Sequence, residues 1–311
     1  MRVFVTGASG HLGSAVVPEL LSAGHEVVGL ARSETSAAAL TALGAEVRPG
    51  DLDDLGGLRE AAADADGVIH LAFKHDAMVA GDYASAVEAD LAALRAFREA
   101  LAGTGKPFVG TSGTGMLSHA PEHAATEPGR AAAEDVVLAP GPGLLARAGA
   151  ENLAVDLAGS GIRSSVVRLP PTVHSELDRH GFVPMLIATA RATGVSGYLG
   201  DGGNRWPAVH TLDAARVYRL ALEQAPAGSR LHAVGDEGVP FRQLAEAIGR
   251  HLDVPVAAIP AERAQEHFGF LAGIVPLDNP TSSERTRRLL GWQPAHPGLL
   301  ADLDLGHYFA T

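Results

Sequence analysis

The sequence predicts an α/β fold built on a doubly wound parallel sheet. Three observations carry this reading. Short apolar, β-branched runs recur along the first half of the chain, Ala/Leu-rich stretches of helical period lie between them, and the first run leads straight into a glycine-rich turn. Strands buried on both faces read as continuous apolar runs, and strand and helix in alternation imply right-handed βαβ units.

In chain order, the strand-like runs are RVFVT, HEVVGLA, AEVRP, GVIHLA, KPFVGTS and RSSVVRLP. Each is too short for a helix and too uniformly apolar for a half-exposed strand. The intervening stretches HLGSAVVPELLSAG, SAAALTALG, DLGGLREAAAD, YASAVEADLAALRAFREALAG and GLLARAGAENLAVDLAGSG have helical spacing, and several stop at Gly, the usual left-handed cap. The rhythm changes near Pro170. PPTVHSELDRHGFVPMLIATARATG reads as a loop and then a helix, SRLHAVG as a strand, and the remainder as helical and Pro-rich segments. Residues 1–170 are therefore expected to form a dinucleotide-binding domain with 208–235 folding back onto it, and 171–207 with 236–311 a smaller C-terminal substrate lobe.

The 311 residues carry a formal charge of -12, with no run of basic residues, which argues against a sequence-independent grip on nucleic acid. No apolar stretch has the length of a membrane span and no signal-like segment opens the chain, so a cytoplasmic protein is expected. The absence of cysteine removes thiolate nucleophiles, disulfides and Cys-ligated metals. Fourteen histidines are present, but no paired-ligand spacing such as H-E-x-x-H, and no metal is expected.

TGASGHLG places Gly7, Ser9, Gly10, His11, Leu12 and Gly13 between the first strand and the first helix. In such a loop the first glycine permits the tight turn, the second lets the backbone approach a pyrophosphate, and the third allows close packing of helix on strand. The second strand ends LARS, without the acidic residue that would bond a ribose 2′-hydroxyl. Arg32, with Ser33 beside it, suits a 2′-phosphate, which points to NADP(H). His11 is a further candidate donor to the phosphates.

TGASGHLG, GDLDD, HLA, TSGTG, VVRLPPTVH, AVHTLDAARVYRLAL and TRRLLGWQPAHPGLLADL together resemble the extended short-chain dehydrogenase/reductase superfamily, of the NAD-dependent epimerase/dehydratase type, over nearly the whole chain. The resemblance implies a Rossmann-type sheet. It also implies that Asp51 and Leu52 line the adenine, that Leu71, Ala72 and Phe73 run along the nicotinamide side with Pro170 bordering the cofactor, and that Thr111 and Ser112 end a strand beneath the reacting carbon. GDLDD also reads as an acidic cap for the following helix.

Most active members of that superfamily use Ser with Tyr-x-x-x-Lys, in which Lys lowers the Tyr pKa. No Tyr here has Lys four residues on, because the lysines are Lys74 and Lys106 alone. Aligned on Glu151, Arg147 takes the Lys position, with a contact to the nicotinamide ribose implied, and Gly143 takes the Tyr position. Loops beyond the strand ends converge on a ligand in such folds, which makes His75 and His174 the candidate acids and Ser112 the group that bonds the substrate oxygen. Phe182, Arg205 and Trp206 are candidate substrate contacts, and Asp213 a helix cap. The expected function is an NADP(H)-dependent oxidoreductase acting on a carbonyl or related group of a small, fairly apolar molecule, as monomer or homodimer. The alternatives are a non-catalytic NADP-binding sensor or scaffold and a nucleotide-sugar epimerase or dehydratase.

Overall fold

The computed structural model describes residues 1–119 and 130–310, and the side chains of 78 and 79 are left aside. The strands are β1 (Arg2–Thr6), β2 (Glu26–Ala31), β3 (Glu46–Pro49), β4 (Gly67–His70), β5 (Pro107–Gly113), β6 (Arg163–Leu169), β7 (Thr172–His174), β8 (Ser196–Leu199), β9 (Arg205–His210), β10 (Ser229–His232), β11 (Asp236–Pro240) and β12 (Val256–Ile259). Seven of them form one sheet in the order β10-β6-β5-β4-β1-β2-β3. Every pairing in it is parallel. The six apolar runs all become strands of this sheet, and the run at 229–232 adds a seventh beside β6.

Alternate residues of these strands serve two cores, which is why the runs are apolar throughout. Val3, Val5, Val109 and Val167 face helices α1 (Gly13–Ser22) and, late in the chain, Thr211–Gln224, together with Trp292. Phe4, Val68, Phe108 and Val166 face the opposite layer, α3 (Leu55–Asp64), α5 (Tyr83–Leu101) and α6 (Ala148–Asp156). Along the chain, α2 (Glu34–Ala42) links β2 to β3, and the short α4 (His75–Val79) lies between β4 and α5. Because β1 lies between β2 and β4, the chain order reverses at β1/β4, and the crevice for a ligand opens beyond their carboxyl ends.

The smaller lobe contains more strand than the sequence implies. The stretch around 172 read as loop holds β7, and β9 pairs with β7 and, in antiparallel sense, with β11. β8 and β12 form a further parallel pair. These strands have three to six residues each and include Pro207 and Pro240, so their existence rests on partners remote in sequence. Trp206, Phe241 and Leu244 are buried at the centre of this lobe's core.

Candidate active site

The glycine loop closes on itself through Gly10 N–H donating to Gly7 O at 3.0 Å, and Ser14 N–H donating to Gly10 O at 2.8 Å starts the helix. Gly7 has φ +67°, and a Cβ there would lie 2.8 Å from the Ala72 backbone nitrogen. A Cβ on Gly13 would run into Gly7 O and the Ala8 backbone. Gly13→Ala is accordingly expected to destabilise the protein by about 1–3 kcal/mol, since backbone on both sides must yield. A thermal melt checks this, and a variant melting with the wild type would show that the loop relaxes at no cost. Packing asks less of Gly10, which is exposed and whose Cβ would meet only Gly7 O, at 3.2 Å. No side chain caps α1, and the Leu12 and Gly13 N–H groups have no hydrogen-bond partner among the described residues at this end of the sheet.

Beneath the loop runs a buried polar chain. Thr6 Oγ1 accepts from Ala72 N–H at 3.3 Å and lies 2.7 Å from His70 Nδ1, while His70 Nε2 lies 3.0 Å from Asp90 Oδ1. Those partners assign the hydroxyl proton to the Thr6–His70 bond and the imidazole proton to Nε2, facing the carboxylate. The other Asp90 oxygen is 4.0 Å from Arg147 Nε. Arg147 Nη2 donates to the Thr111 carbonyl at 3.1 Å, and its Nε is buried without a hydrogen-bond partner. The guanidinium lies 4.2 Å from the centre of the Phe73 ring, with the Tyr83 ring 6.1 Å and the His75 ring 5.3 Å from the same ring. Arg147, Phe73, His75 and Tyr83 thus meet beyond the ends of β4 and β5.

Beyond the end of β3, Asp51 Oδ1 accepts from Asp53 N–H and Asp54 N–H, and Asp54 caps α3 by accepting from Gly57 N–H. Leu52 is buried, and Lys74 joins this turn to the β4 loop through both Asp53 oxygens at 2.7 Å. Arg32 is exposed at the end of β2, 3.6 Å from the exposed Asp76 carboxylate. Ser33 spends its oxygen capping α2, accepting from Ser36 N–H.

Other candidates lie elsewhere than the sequence suggests. His174 is wholly buried, with Nδ1 2.9 Å from Asp302 Oδ2, because the register of β7 against β9 turns it into the smaller lobe and away from Phe73. His11 turns to Thr211 Oγ1 at 3.1 Å instead of the open side of the loop. Burial lowers the His11 pKa against the opposing effect of Asp178. Trp206 is 1% exposed, packed on Phe241 and Phe182 with ring centres 4.9 Å and 6.0 Å away, and is a core residue of the lobe. Phe182 stays half-buried at that core's edge, and Pro170 is buried. Arg205 is engaged by Asp278 through Nε at 3.0 Å and Nη2 at 2.7 Å. Asp213 is buried and accepts from Ala295 and His296 N–H, tying down the chain after Trp292, while the cap of helix 211–224 is His210.

Thr111 donates to His70 O at 2.7 Å and meets the Tyr218 hydroxyl at 2.9 Å. Ser112, one residue on, faces the other layer. It is 2% exposed with no hydrogen-bond partner of proper geometry, and it sits in register with Arg168. Arg168 is fully buried and grips Glu151 through Nε at 2.9 Å and Nη2 at 2.6 Å. Burial raises the Glu151 carboxyl, but Arg168 above all, with Ser112 and Arg230, outweighs it and holds the group below its ordinary range. This network was not foreseen, because Arg168 within RSSVVRLP gives no sign of its partner. Also unforeseen is Asp178, which accepts from Gly181 N–H at 2.8 Å and from the Tyr308 hydroxyl at 3.3 Å. Among the described residues, no group of three His, Cys, Asp or Glu is placed to hold a metal, and no helix is long and apolar enough to cross a membrane.

With the site in view, comparison with known proteins is informative. The family described as NAD dependent epimerase/dehydratase matches residues 3–234. An uncharacterized protein of Schizosaccharomyces pombe is 47% identical over 309 residues, covering 99% of this chain and 100% of its own. A sterol-4-alpha-carboxylate 3-dehydrogenase (decarboxylating) of Dictyostelium discoideum is 29% identical, over 78% of this chain and 74% of its own. Among solved structures, the UDP-glucose 4-epimerase of Thermotoga maritima superposes with a TM-score of 0.78 at 20% identity, covering 99% of this chain and 98% of that one. At that identity the likeness speaks for the fold.

Proposed function

The chain belongs to the NAD dependent epimerase/dehydratase family, and from that premise we propose that it is an NADP(H)-dependent oxidoreductase reducing a carbonyl, or a related unsaturated group, on a small, fairly apolar molecule. The observation that carries this reading is the convergence, at one end of one sheet, of an uncapped helix behind an open glycine loop, an exposed Arg32 and the Arg147–Phe73 cluster. The residues fit a dinucleotide. Exposed Gly10 leaves the loop approachable, and Arg147 Nε is a buried donor without a hydrogen-bond partner among the described residues.

Backbone N–H groups of Ser9, Leu12 and Gly13 hold the pyrophosphate, with Gly7 making the turn and Gly10, whose own N–H closes the loop onto Gly7 O, leaving room for the approach. Asp51 and Leu52 border the adenine, Arg32 and Ser33 the 2′-phosphate, and Leu71, Ala72, Phe73, Thr111 and Pro170 the nicotinamide half, whose ribose Arg147 contacts. When bound, the reduced cofactor supplies a hydride. The protein's own work is to orient the acceptor against Phe73, keep water away and deliver one proton. The relative named for a sterol carboxylate favours an apolar acceptor over a nucleotide sugar.

Among the described residues Arg32 has one ion-pair partner, the exposed Asp76 carboxylate, a contact of little strength that an incoming phosphate displaces. Arg32→Ala is expected to weaken NADPH binding roughly 10- to 100-fold, the range for charge-assisted hydrogen bonds worth about 1.5–3 kcal/mol, and to leave NADH nearly unchanged. Calorimetric titration of both cofactors with wild type and variant is the test, followed by a carbonyl screen with NADPH. NADH binding as tight as NADPH overturns the 2′-phosphate assignment. UDP-glucose turnover puts nucleotide-sugar chemistry in its place, and tight binding without turnover of any carbonyl favours a sensor.

A further inference from the structure

The family's proton donor sits one helical turn before its Lys, and Gly143 occupies that place here. We propose that Tyr83, at the start of α5, supplies the missing phenol and that Arg147 supplies the charge that stabilises its phenolate. This rests on the oxidoreductase reading above.

Three of the four tyrosines are committed elsewhere. Tyr198 lies in the smaller lobe beside Arg242, Tyr218 is fully buried against Thr111, and Tyr308 bonds Ser175 N–H and Asp178. Tyr83 is half-buried against the cluster of Phe73, Ala86 and Val87, on which Ala146 also packs and over whose Phe73 ring the Arg147 guanidinium lies. Its hydroxyl makes no hydrogen bond among the described residues. Asp90 follows seven residues later on the same helix, hence on the same face, and stands against Arg147 Nε. One face of α5 therefore presents both a phenol and a carboxylate to the cation, and His70 and Thr6 hold that carboxylate in place.

The sign of the Arg147 charge selects between the two acids near Phe73. It opposes a proton on His75, whose pKa is lowered by the surrounding protein and by Arg147, partly offset by Phe73 O and Asp76. An imidazole kept neutral is a poor donor at neutral pH. The same charge favours the anion that Tyr83 becomes after donating, although burial, helped by Asp90, keeps the resting phenol protonated. In reduction the carbonyl carbon accepts the hydride with its electron pair, the C=O π-bond breaks onto oxygen, and that oxygen takes the proton as the Tyr83 O–H bond breaks. Water then returns a proton to the phenolate.

The test pairs kinetics with a titration. Wild type, Tyr83→Phe and Arg147→Gln are assayed with NADPH against aryl aldehydes, β-keto esters and 9,10-phenanthrenequinone. Separately, protein labelled with carbon-13 at tyrosine Cζ is titrated by NMR, the Tyr83 signal being assigned by its loss in Tyr83→Phe. Expected are a kcat loss of about 100-fold or more in Tyr83→Phe with NADPH affinity within about twofold, the range for removing a general acid, and a Tyr83 pKa that rises in Arg147→Gln and returns in Arg147→Lys. Wild-type kcat in Tyr83→Phe overturns the proposal, as does a Tyr83 titration indifferent to Arg147→Gln. If wild type reduces none of these carbonyls, the oxidoreductase reading fails by itself and the titration still decides whether Tyr83 and Arg147 are coupled.

Discussion

Glu151→Gln is expected to lower stability by about 3–5 kcal/mol, the usual penalty for stripping one partner from a buried ion pair. Arg168 has no exposure at all, and Glu151 receives both of its forks while also binding Arg230 at 3.0 Å. Without the carboxylate, two guanidinium groups would face each other across a neutral amide, one of them entirely out of water. Replacing the pair together, Arg168→Met with Glu151→Leu, is expected to recover much of the loss, because the fully buried charge is then gone and the partly exposed Arg230 keeps its bond to Asn152 Oδ1. Urea unfolding of the three proteins measures both effects. A loss below about 1 kcal/mol in Glu151→Gln, the scale of an exposed pair, would show that the network is hydrated.

The same network is expected to make the fold sensitive to mild acid. His232 is fully buried, and its pKa is pushed down from 6.5 to about 3 by burial first and then by Arg168. Its Nε2 accepts from Arg168 Nη1 at 3.1 Å and its Nδ1 donates to Ser282 O at 2.7 Å, so a second ring proton would point at a guanidinium. A folded-state pKa below the unfolded one means that the unfolded chain binds the extra proton between these values. Stability is therefore full above pH 6.5 and falls as pH drops toward about 3, by as much as roughly 5 kcal/mol at 1.36 kcal/mol per unit. Glu151 adds a loss in the same direction, beginning below its ordinary 4.5, since its own pKa is lowered in the fold. Unfolding free energies measured from pH 7 to 4 should show one proton taken up with His232, and His232→Gln should flatten that slope. A variant with the wild-type slope would place the acid sensitivity in other groups.

These charges also position the site. Arg168 and Glu151 fasten α6 to β6, and Arg168 Nη2 donates at 2.6 Å to the Val136 carbonyl, binding the segment before α6 to the same sheet. Arg147 immediately precedes α6, so its reach toward Phe73 and Asp90 depends on where that helix is anchored. The stability experiments and the Tyr83 experiment therefore probe two ends of one helix. Loss of Glu151 is expected to disturb Arg147 as well as the fold.

The sheet and its glycine loop were written into the sequence by itself. Parallel strands buried on both faces need apolar residues at every position, and a loop that places Gly7 against Ala72 and Gly13 against Gly7 tolerates no Cβ. Both demands are local, so RVFVT followed by TGASGHLG announces them without a partner. The family resemblance was legible for the same reason, as was the absence of a Tyr-x-x-x-Lys pair. What only the tertiary structure decided is which side chains meet. Neighbours along the chain, Thr111 and Ser112, diverge to opposite faces of the sheet. His174 points into the smaller lobe because β7 pairs with β9, and Trp206 is core because β9 lies between β7 and β11. Tyr83 and Arg147 lie far apart along the chain, on separate elements, and a rule that seeks both on one helix passes over them. Such contacts depend on strand register and helix packing, set by cores assembled from the whole chain, and no local pattern of residues encodes them.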